Sequence, residues 1–160
     1  MNTAGMDTIG IADTTFAGYD MGGLAERTLR DSELPVKIIR YTVPGIKDLP
    51  VASKKLIEEH NCDIILALGM PGPEKIDQQC AHEASQGIQQ VQLMTNRHVI
   101  EVFVHMDEGK DAKELVRITE DRTKKHALNA IALLRGKDAL RRYAGAGKRQ
   151  GKGDAGQLLL

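Results

Sequence analysis

The sequence predicts an α/β protein with a four-stranded parallel sheet and helices on both of its faces. Short apolar runs alternate along the chain with longer segments of helical periodicity, which gives four consecutive strand–helix units. This alternation is typical of parallel strands joined by right-handed helical crossovers. Residues 64–68 read Ile-Ile-Leu-Ala-Leu without polar alternation, as expected of a strand covered on both faces.

Each element has its own local support. Strands are predicted at residues 9–12, 36–41, 62–68 and 99–104, and helices at residues 20–34, 49–60, 74–96 and 110–135. The second helix has a clear start, because Asp48 is a suitable capping carboxylate and Pro50 falls where its missing N–H costs nothing. Pro73 and Glu74 start the third helix in the same way. Gly136 ends the fourth helix, and residues 137–144 are predicted to form a short fifth.

Length and charge restrict the classes of function. The chain has 160 residues, which predicts a single domain over 1–160. Lys and Arg together number 22, as do Asp and Glu, and this zero net charge argues against a nucleic-acid or membrane-surface partner. No apolar run is long enough to span a bilayer, and residues 1–7 lack the basic start of a signal peptide. Cys62 and Cys80 fit no metal-binding spacing and indicate reduced thiols in a cytoplasm.

Two compositional features stand out. Residues 145–156 contain five glycines and three basic residues, which predicts a flexible, solvated tail that continues to residue 160. Aromatic residues are scarce: the chain has no Trp, three Tyr and two Phe. A monomer that encloses a large flat ligand usually uses more aromatic rings, so such a ligand would need a wall from elsewhere.

Ligands of open parallel sheets bind beyond the carboxyl ends of the strands, which here are followed by residues 13–17, 42–48, 69–73 and 105–108. Several familiar motifs are absent from the chain. The glycines of residues 18–23 have the wrong spacing for a dinucleotide fingerprint, and neither a phosphate-binding P-loop nor a GxSxG elbow occurs. His82-Glu83 lacks the second histidine of a zinc protease motif, because residue 86 is Gln. Hydride transfer, nucleotide hydrolysis and zinc proteolysis are therefore disfavoured.

Two of these loops contain candidate binding residues. The ring of Phe16 can cover a heterocycle while Thr14 and Thr15 bond to its edge, or it can plug the core above the following helix. In the next loop, Lys47 and Asp48 can hold hydroxyl groups, which for Asp48 is compatible with helix capping.

Ionisable residues on the helices and after the fourth strand are further candidates. His82 and Glu83 lie near the start of the third helix, as surface residues or as proton-transfer groups. His105 follows the fourth strand and can move protons or simply cap that strand. Polar residues interrupt the apolar face of the fourth helix, as a solvated stripe or as a wall facing a neighbouring subunit. They are Arg122, His126 and Asn129.

Several segments together resemble a known family. Residues 40–50 (RYTVPGIKDLP) look like the VPGxxE[IL]P-type loop of lumazine synthase. The whole chain is more similar to the related archaeal-type riboflavin synthase, through IGIADTTFA (9–17), the stretch 62–96, IEVFVHMDE (100–108) and the glycine-rich end 144–156. The resemblance covers about nine-tenths of the chain.

The resemblance implies a flavodoxin-like βαβ sandwich that assembles as a homopentamer with active sites between adjacent subunits. It also implies a reaction in which two molecules of 6,7-dimethyl-8-ribityllumazine dismutate. One donates a four-carbon unit to the other, giving riboflavin and 5-amino-6-(ribitylamino)uracil. Riboflavin is then the product, and no flavin cofactor is expected. The family is associated with Mg²⁺, although no carboxylate cluster in this sequence indicates a dedicated magnesium site.

The resemblance also assigns roles. His82 matches the histidine placed for proton transfer in lumazine synthase, and with Glu83 and His105, which are candidates by their position, it makes up the predicted catalytic residues. The predicted substrate-binding residues are Thr14, Thr15, Phe16, Val43, Pro44, Gly45, Ile46, Lys47, Asp48, Met70, Pro71, Gly72, Met106, Arg122 and His126. Phe16 matches the aromatic that covers the lumazine ring, Val43–Ile46 the backbone beside it, and Lys47 with Asp48 the place where the ribityl chain is held.

One loop departs from lumazine synthase. Lumazine synthases carry an RGxTxH-like loop that binds a substrate phosphate, whereas residues 70–75 here read Met-Pro-Gly-Pro-Glu-Lys. A phosphate site needs many donors, and this loop offers prolines and a carboxylate. A riboflavin synthase is therefore preferred. Lumazine synthase and a non-catalytic lumazine or flavin carrier remain the alternatives.

Overall fold

The computed structural model describes residues 5–160, so residues 1–4 of the predicted domain and of the segment tested for a signal peptide lie outside it. Four parallel strands form one sheet in the order β2-β1-β3-β4. They are β1 (Asp7–Thr14), β2 (Val36–Val43), β3 (Ile64–Gly69) and β4 (Val99–Phe103). All four predicted strands are confirmed, with ends that differ by at most two residues.

Four helices connect and follow the strands: α1 (Met21–Asp31), α2 (Leu49–His60), α3 (Lys75–Thr95) and α4 (Ala112–Leu134). The first ends before its predicted limit of residue 34, because Pro35 disfavours helical backbone at Leu34. The fifth helix predicted at residues 137–144 is wrong: that stretch contains a single 3₁₀ turn, Arg141–Tyr143. Gly136, with φ of 123°, follows the end of α4 as predicted.

The sheet separates two apolar layers, which confirms helices on both faces. Ile65 of β3 packs with Leu56 of α2 and Ile88 of α3 in one layer. Its neighbour Leu66 packs in the other, with residues of α1 and α4. Successive strand side chains point to opposite faces, so an uninterrupted apolar strand serves both layers.

The start of α2 differs from its prediction in one respect. Pro50 lies in the first turn as expected, but the Asp48 carboxylate does not cap α2. It accepts a hydrogen bond from the Gly45 N–H at 3.3 Å and so closes a 3₁₀ turn over Ile46–Asp48. The physical reason is that Asp48 has helical backbone (φ −91°, ψ −8°), whereas a capping side chain requires extended backbone.

Residues 145–156, called the C-terminal loop below, fold back against α4 instead of extending into solvent. The Ala155 N–H donates to the Gly147 carbonyl at 2.8 Å, and the Gly151 N–H donates to the Asp121 carboxylate at 2.8 Å. This differs from the predicted flexible tail. Glycines with positive φ let the backbone turn towards partners on α4 that composition does not reveal. Within residues 5–160, no helix is long and apolar enough to cross a membrane.

Candidate active site

A cavity of about 240 Å³ opens at the carboxyl edge of the sheet, beside the point where the strand order reverses between β1 and β3. The loops after β1, β2 and β3 and the first turns of α3 form it. Its lining residues are Phe16, Gly45, Ile46, Lys47, Asp48, Pro71, Gly72, Asp77 and Cys80. The sequence predicts all of these except Asp77 and Cys80.

Phe16 is held at the cavity by its backbone. The Thr15 N–H donates to the Val43 carbonyl at 2.8 Å, and the Phe16 N–H donates to the Pro44 carbonyl at 3.2 Å. These bonds continue the pairing of β1 with β2 past the strand ends. The Phe16 ring is 56% exposed, so its interpretation as a plug over the core is wrong, and an apolar ring faces an open cavity.

Two glycines allow close packing around the cavity. A Cβ at Gly69 would overlap Ile46 and the ring of Phe103, so glycine at the end of β3 lets Ile46 lie directly over the strand. A Cβ at Gly72 would overlap the carboxylate of Asp77. Substitution at either position would therefore alter the cavity.

An ion pair lies at the edge of the cavity. Lys47, from the turn after β2, places its Nζ 3.1 Å from the Glu83 carboxylate of α3. Each partner stabilises the charge of the other, so the pKa of Lys47 is raised and that of Glu83 is lowered. Glu83 is therefore a carboxylate at neutral pH, which does not favour it as a proton donor.

The amino end of α3 is occupied by acidic groups of the chain itself. The Glu74 N–H donates to the Asp77 carboxylate at 3.1 Å, whereas the Glu74 side chain makes no capping hydrogen bond. The N–H groups of a helix start are the usual binding place for a phosphate. Here two carboxylates lie at that place and would repel an anion.

A polar cavity of about 460 Å³ lies beside Thr14 and Thr15. The buried Asp13 carboxylate accepts from Arg40 Nη2 at 2.6 Å and from Thr42 Oγ1 at 2.6 Å. The hydrogen bond to Asp13, together with a second from Arg40 Nη2 to Asp20 at 2.6 Å, raises the pKa of Arg40. The side chains of Val43 and Met70, which are also predicted to bind substrate, are buried in the core, so only their backbone could reach a ligand.

The histidines lie outside the cavity of this single chain. His82 is exposed, because two residues along a helix rotate its side chain by about 200° from that of Cys80, which lines the cavity. His105 is half-buried after β4, and its backbone N–H donates to the Glu108 carboxylate at 2.8 Å. Next to it, the Met106 N–H donates to the Pro71 carbonyl at 2.9 Å. The residues after β4 are therefore tied to the cavity wall.

Glu101 lies on β4 near this histidine. Burial raises the pKa of its carboxyl group, against the lowering effects of a hydrogen bond from Ser85 Oγ and of the charge of His105.

Arg122 of α4 bonds within the chain rather than facing solvent. Its Nη1 and Nη2 donate to the two oxygens of Glu108 at 2.7 and 3.0 Å. Its side chain is 13% exposed, so the solvated-stripe interpretation is wrong for this residue. His126 is half-buried beside it, and burial together with the charge of Arg122 lowers its pKa. The substrate-binding roles of Arg122 and His126 stay predictions.

Asp77 and Cys80 are the cavity residues that sequence reasoning missed. Helical periodicity was the available signal, since both follow Glu74 at spacings of three residues and so share one face of α3.

A metal site was also sought among the side chains. Among residues 5–160, no three His, Cys, Asp or Glu side chains are grouped so that they could hold a metal ion.

Comparisons with known proteins agree with one another. Residues 8–138 match the family model of 6,7-dimethyl-8-ribityllumazine synthase. The riboflavin synthase of Methanothermobacter thermautotrophicus is 58% identical over 96% of this chain and all of its own length. That of Archaeoglobus fulgidus is 49% identical over 94% of this chain and 98% of its own. The 6,7-dimethyl-8-ribityllumazine synthase of Prochlorococcus marinus subsp. pastoris is 31% identical over 69% of this chain and 71% of its own.

Proposed function

The chain belongs to the 6,7-dimethyl-8-ribityllumazine synthase family, and we propose that within this family it acts as a riboflavin synthase. In the reaction, one 6,7-dimethyl-8-ribityllumazine transfers a four-carbon unit to a second. The products are riboflavin and 5-amino-6-(ribitylamino)uracil. Similarity to riboflavin synthases over nearly the whole chain supports this activity, whereas the lumazine synthases are more distant.

The carboxylates at the start of α3 are the structural observation that carries the choice between the two activities. A lumazine synthase must bind a phosphate-bearing four-carbon substrate. In this chain Glu74 and Asp77 occupy the helix N-terminus, and Pro71 and Gly72 form an apolar wall beside it. This edge suits an uncharged ring system better than a phosphate.

For a lumazine bound in this cavity we propose the following orientation. The ring would lie against Phe16, Ile46 and Pro71, with the open backbone at Gly45 beside its edge. The ribityl hydroxyls would reach Lys47 and Asp48, whose charged groups are suitable donors and acceptors.

General acid–base catalysis is then the only chemical role required of the side chains. The C7 methyl of the lumazine is already acidic, because its anion is delocalised over the ring. Holding two substrates in register would supply much of the rate. His82, Glu83 and His105 are the proposed proton-transfer groups, and such help typically contributes about 10²–10⁴-fold.

Assembly, location and metal belong to the same proposal. A cavity of about 240 Å³ is smaller than the roughly 300–1,000 Å³ of a usual ligand site, which supports a site completed by a neighbouring subunit. The homopentamer itself is proposed from the family resemblance. The unpaired thiols of Cys62 and Cys80 fit a cytoplasmic location. Mg²⁺ is expected from the family resemblance alone, and no step of the reaction is assigned to it.

Supplying purified 6,7-dimethyl-8-ribityllumazine as the sole substrate tests the activity. The expected result is a riboflavin peak together with an equal amount of 5-amino-6-(ribitylamino)uracil, separated by chromatography. A lumazine synthase would give no riboflavin here but would make lumazine from the uracil and the four-carbon phosphate. Tight binding of lumazine without any product would instead identify a carrier.

A further inference from the structure

Arg122 joins two parts of the chain that are far apart in sequence. Towards the sheet, its Nη1 donates to the Phe103 carbonyl at 3.0 Å and both Nη atoms hold the Glu108 carboxylate. Towards the C-terminal loop, its Nε donates to the Gln150 carbonyl at 3.1 Å. Four of its five N–H donors are thus used inside the protein, which fixes the guanidinium in place.

The Glu108 carboxylate connects Arg122 to the turn after β4, residues 105–108. The oxygen that bonds Arg122 Nη1 also accepts the His105 N–H at 2.8 Å. Burial by itself would raise the pKa of Glu108, but the bonds from Arg122 and His105 outweigh it and lower that pKa. The turn is in contact with the cavity wall, because the Met106 N–H donates to the Pro71 carbonyl.

Gly151 closes the other side of the guanidinium. It is buried at φ +86°, and its N–H is anchored to Asp121 Oδ2 at 2.8 Å. A Cβ at this position would overlap the Arg122 guanidinium. Residue 151 must therefore be glycine for the C-terminal loop and Arg122 to occupy their places together.

We propose that the C-terminal loop is a positioning element of the active site, which acts through Arg122 on the turn His105–Glu108. This inference rests on the proposed function, since the turn carries a proposed proton-transfer group and the proposed substrate contact Met106. Arg122 is then a positioning residue, and Gly151 with Asp121 holds it in place.

Hydrogen exchange of the full-length protein, read by mass spectrometry, tests the coupling without any substrate. Gly151→Ala is compared with two variants of the same loop whose added Cβ meets open space: Gly153→Ala, and Gly145→Ala, which shares the positive φ of Gly151. The Gly151→Ala variant should exchange its amides at residues 104–109 about tenfold faster than wild type, while the two control variants leave them unchanged. Faster exchange confined to the C-terminal loop would overturn the inference.

Two further variants show whether Arg122 transmits the effect. Asp121→Ala releases the Gly151 N–H without adding any atom, so it should also speed exchange at residues 104–109 even if Gly151→Ala folds poorly. In an Arg122→Gln background, Gly151→Ala should cause no further change there, because the connection is already broken. Additive effects would mean that the loop does not act through Arg122.

Activity completes the test. Given wild-type conversion of ribityllumazine to riboflavin, Gly151→Ala should lose about tenfold in kcat/KM and Gly153→Ala should keep it. A wild type without riboflavin formation would reject the proposed function but leave the exchange result standing. Full activity in Gly151→Ala with faster exchange at residues 104–109 would reject the link to catalysis.

Discussion

Phe16 and Phe103 are the two phenylalanines of the chain, and their environments are opposite. Phe103 is 8% exposed and packs in the core, whereas Phe16 is 56% exposed at the cavity. The position of Phe103 in an apolar strand indicates burial, whereas the sequence left Phe16 open between a ring that covers a ligand and a plug over the core. An exposed aromatic that does not support the core is available to a ligand.

Replacing Phe16 with Ala should therefore separate activity from stability. We expect kcat/KM for ribityllumazine to fall roughly 10–100-fold, because the ring contact is lost, while the free energy of unfolding stays within about 0.5 kcal/mol. Kinetics and urea denaturation measure the two quantities. Leu93→Ala, at another exposed apolar residue, serves as the control and should change neither. Unaltered kinetics in Phe16→Ala would show that the ring does not contact the substrate.

His82→Ala should slow turnover without abolishing it. The side chain is exposed and outside the cavity of one subunit, and proximity of the two substrates supplies much of the rate. A loss of about 10²-fold in kcat, at the lower end for proton transfer, is expected in steady-state assays. His98→Ala, at an exposed histidine on the opposite edge of the sheet, should be fully active. If His82→Ala is also fully active, His82 does not transfer a proton in the reaction.

Glu101 predicts a pH dependence of stability. Burial raises its pKa in the folded chain, so folding favours the protonated carboxyl. Its stabilising contribution is complete below the unfolded value of about 4.3 and is lost as pH rises through the folded pKa. Glu101→Gln removes this titration, so its stability relative to wild type should increase between pH 4 and pH 7 in urea denaturation. Ser85→Ala keeps the carboxyl and should retain the titration; a Gln variant with the wild-type pH profile would contradict the assignment.

At the level of elements, α3 carries both structure and selectivity. Its first turns supply Asp77 and Cys80 to the cavity, and the carboxylates at its start occupy the place where a phosphate would bind. Pro73 and Glu74 correctly predict where it starts. The bond from the Glu74 N–H to the Asp77 carboxylate was not predicted, because Pro73 and Glu74 indicate the helix start but not which side chain caps it.

Asp77→Ala should destabilise the protein by about 0.5–2 kcal/mol, since the Glu74 N–H loses its acceptor. The free energy of unfolding from urea titration measures this loss. Asp77→Asn keeps a side-chain oxygen for the same bond and should lose much less. Equal losses in the two variants would show that the carboxylate charge, rather than the cap, stabilises α3.

At the level of the whole molecule, the scarcity of aromatic residues and the open cavity have the same consequence. One chain offers a single exposed phenylalanine, at a cavity of about 240 Å³, yet the proposed reaction needs two ring systems together. A site shared between copies of the chain resolves this mismatch.

Activity should accordingly depend on assembly. On dilution, the rate per chain is expected to fall in parallel with the fraction of oligomer that native mass spectrometry detects, because a separate subunit has an incomplete site. Phe16→Ala, assembled like wild type but slow, distinguishes loss of assembly from loss of the ring contact. A monomer as active as the assembled form would contradict the shared site.

The sequence by itself determined the four parallel strands, the order of the helices and the edge at which the ligand loops gather. Apolar runs, Pro50 and Gly136 are local signals, and their meaning does not depend on distant residues. The resemblance of residues 9–17 and 40–50 indicates the family, which the match over residues 8–138 confirms.

Only the tertiary structure decided which side chains meet. Lys47 pairs with Glu83, and Arg122 joins Glu108 to the C-terminal loop that composition alone predicts to be a flexible tail. Asp48 closes its own turn instead of capping α2. Each of these partners is chosen by the packing of elements or by the exact backbone angles, and local sequence patterns carry information about neither.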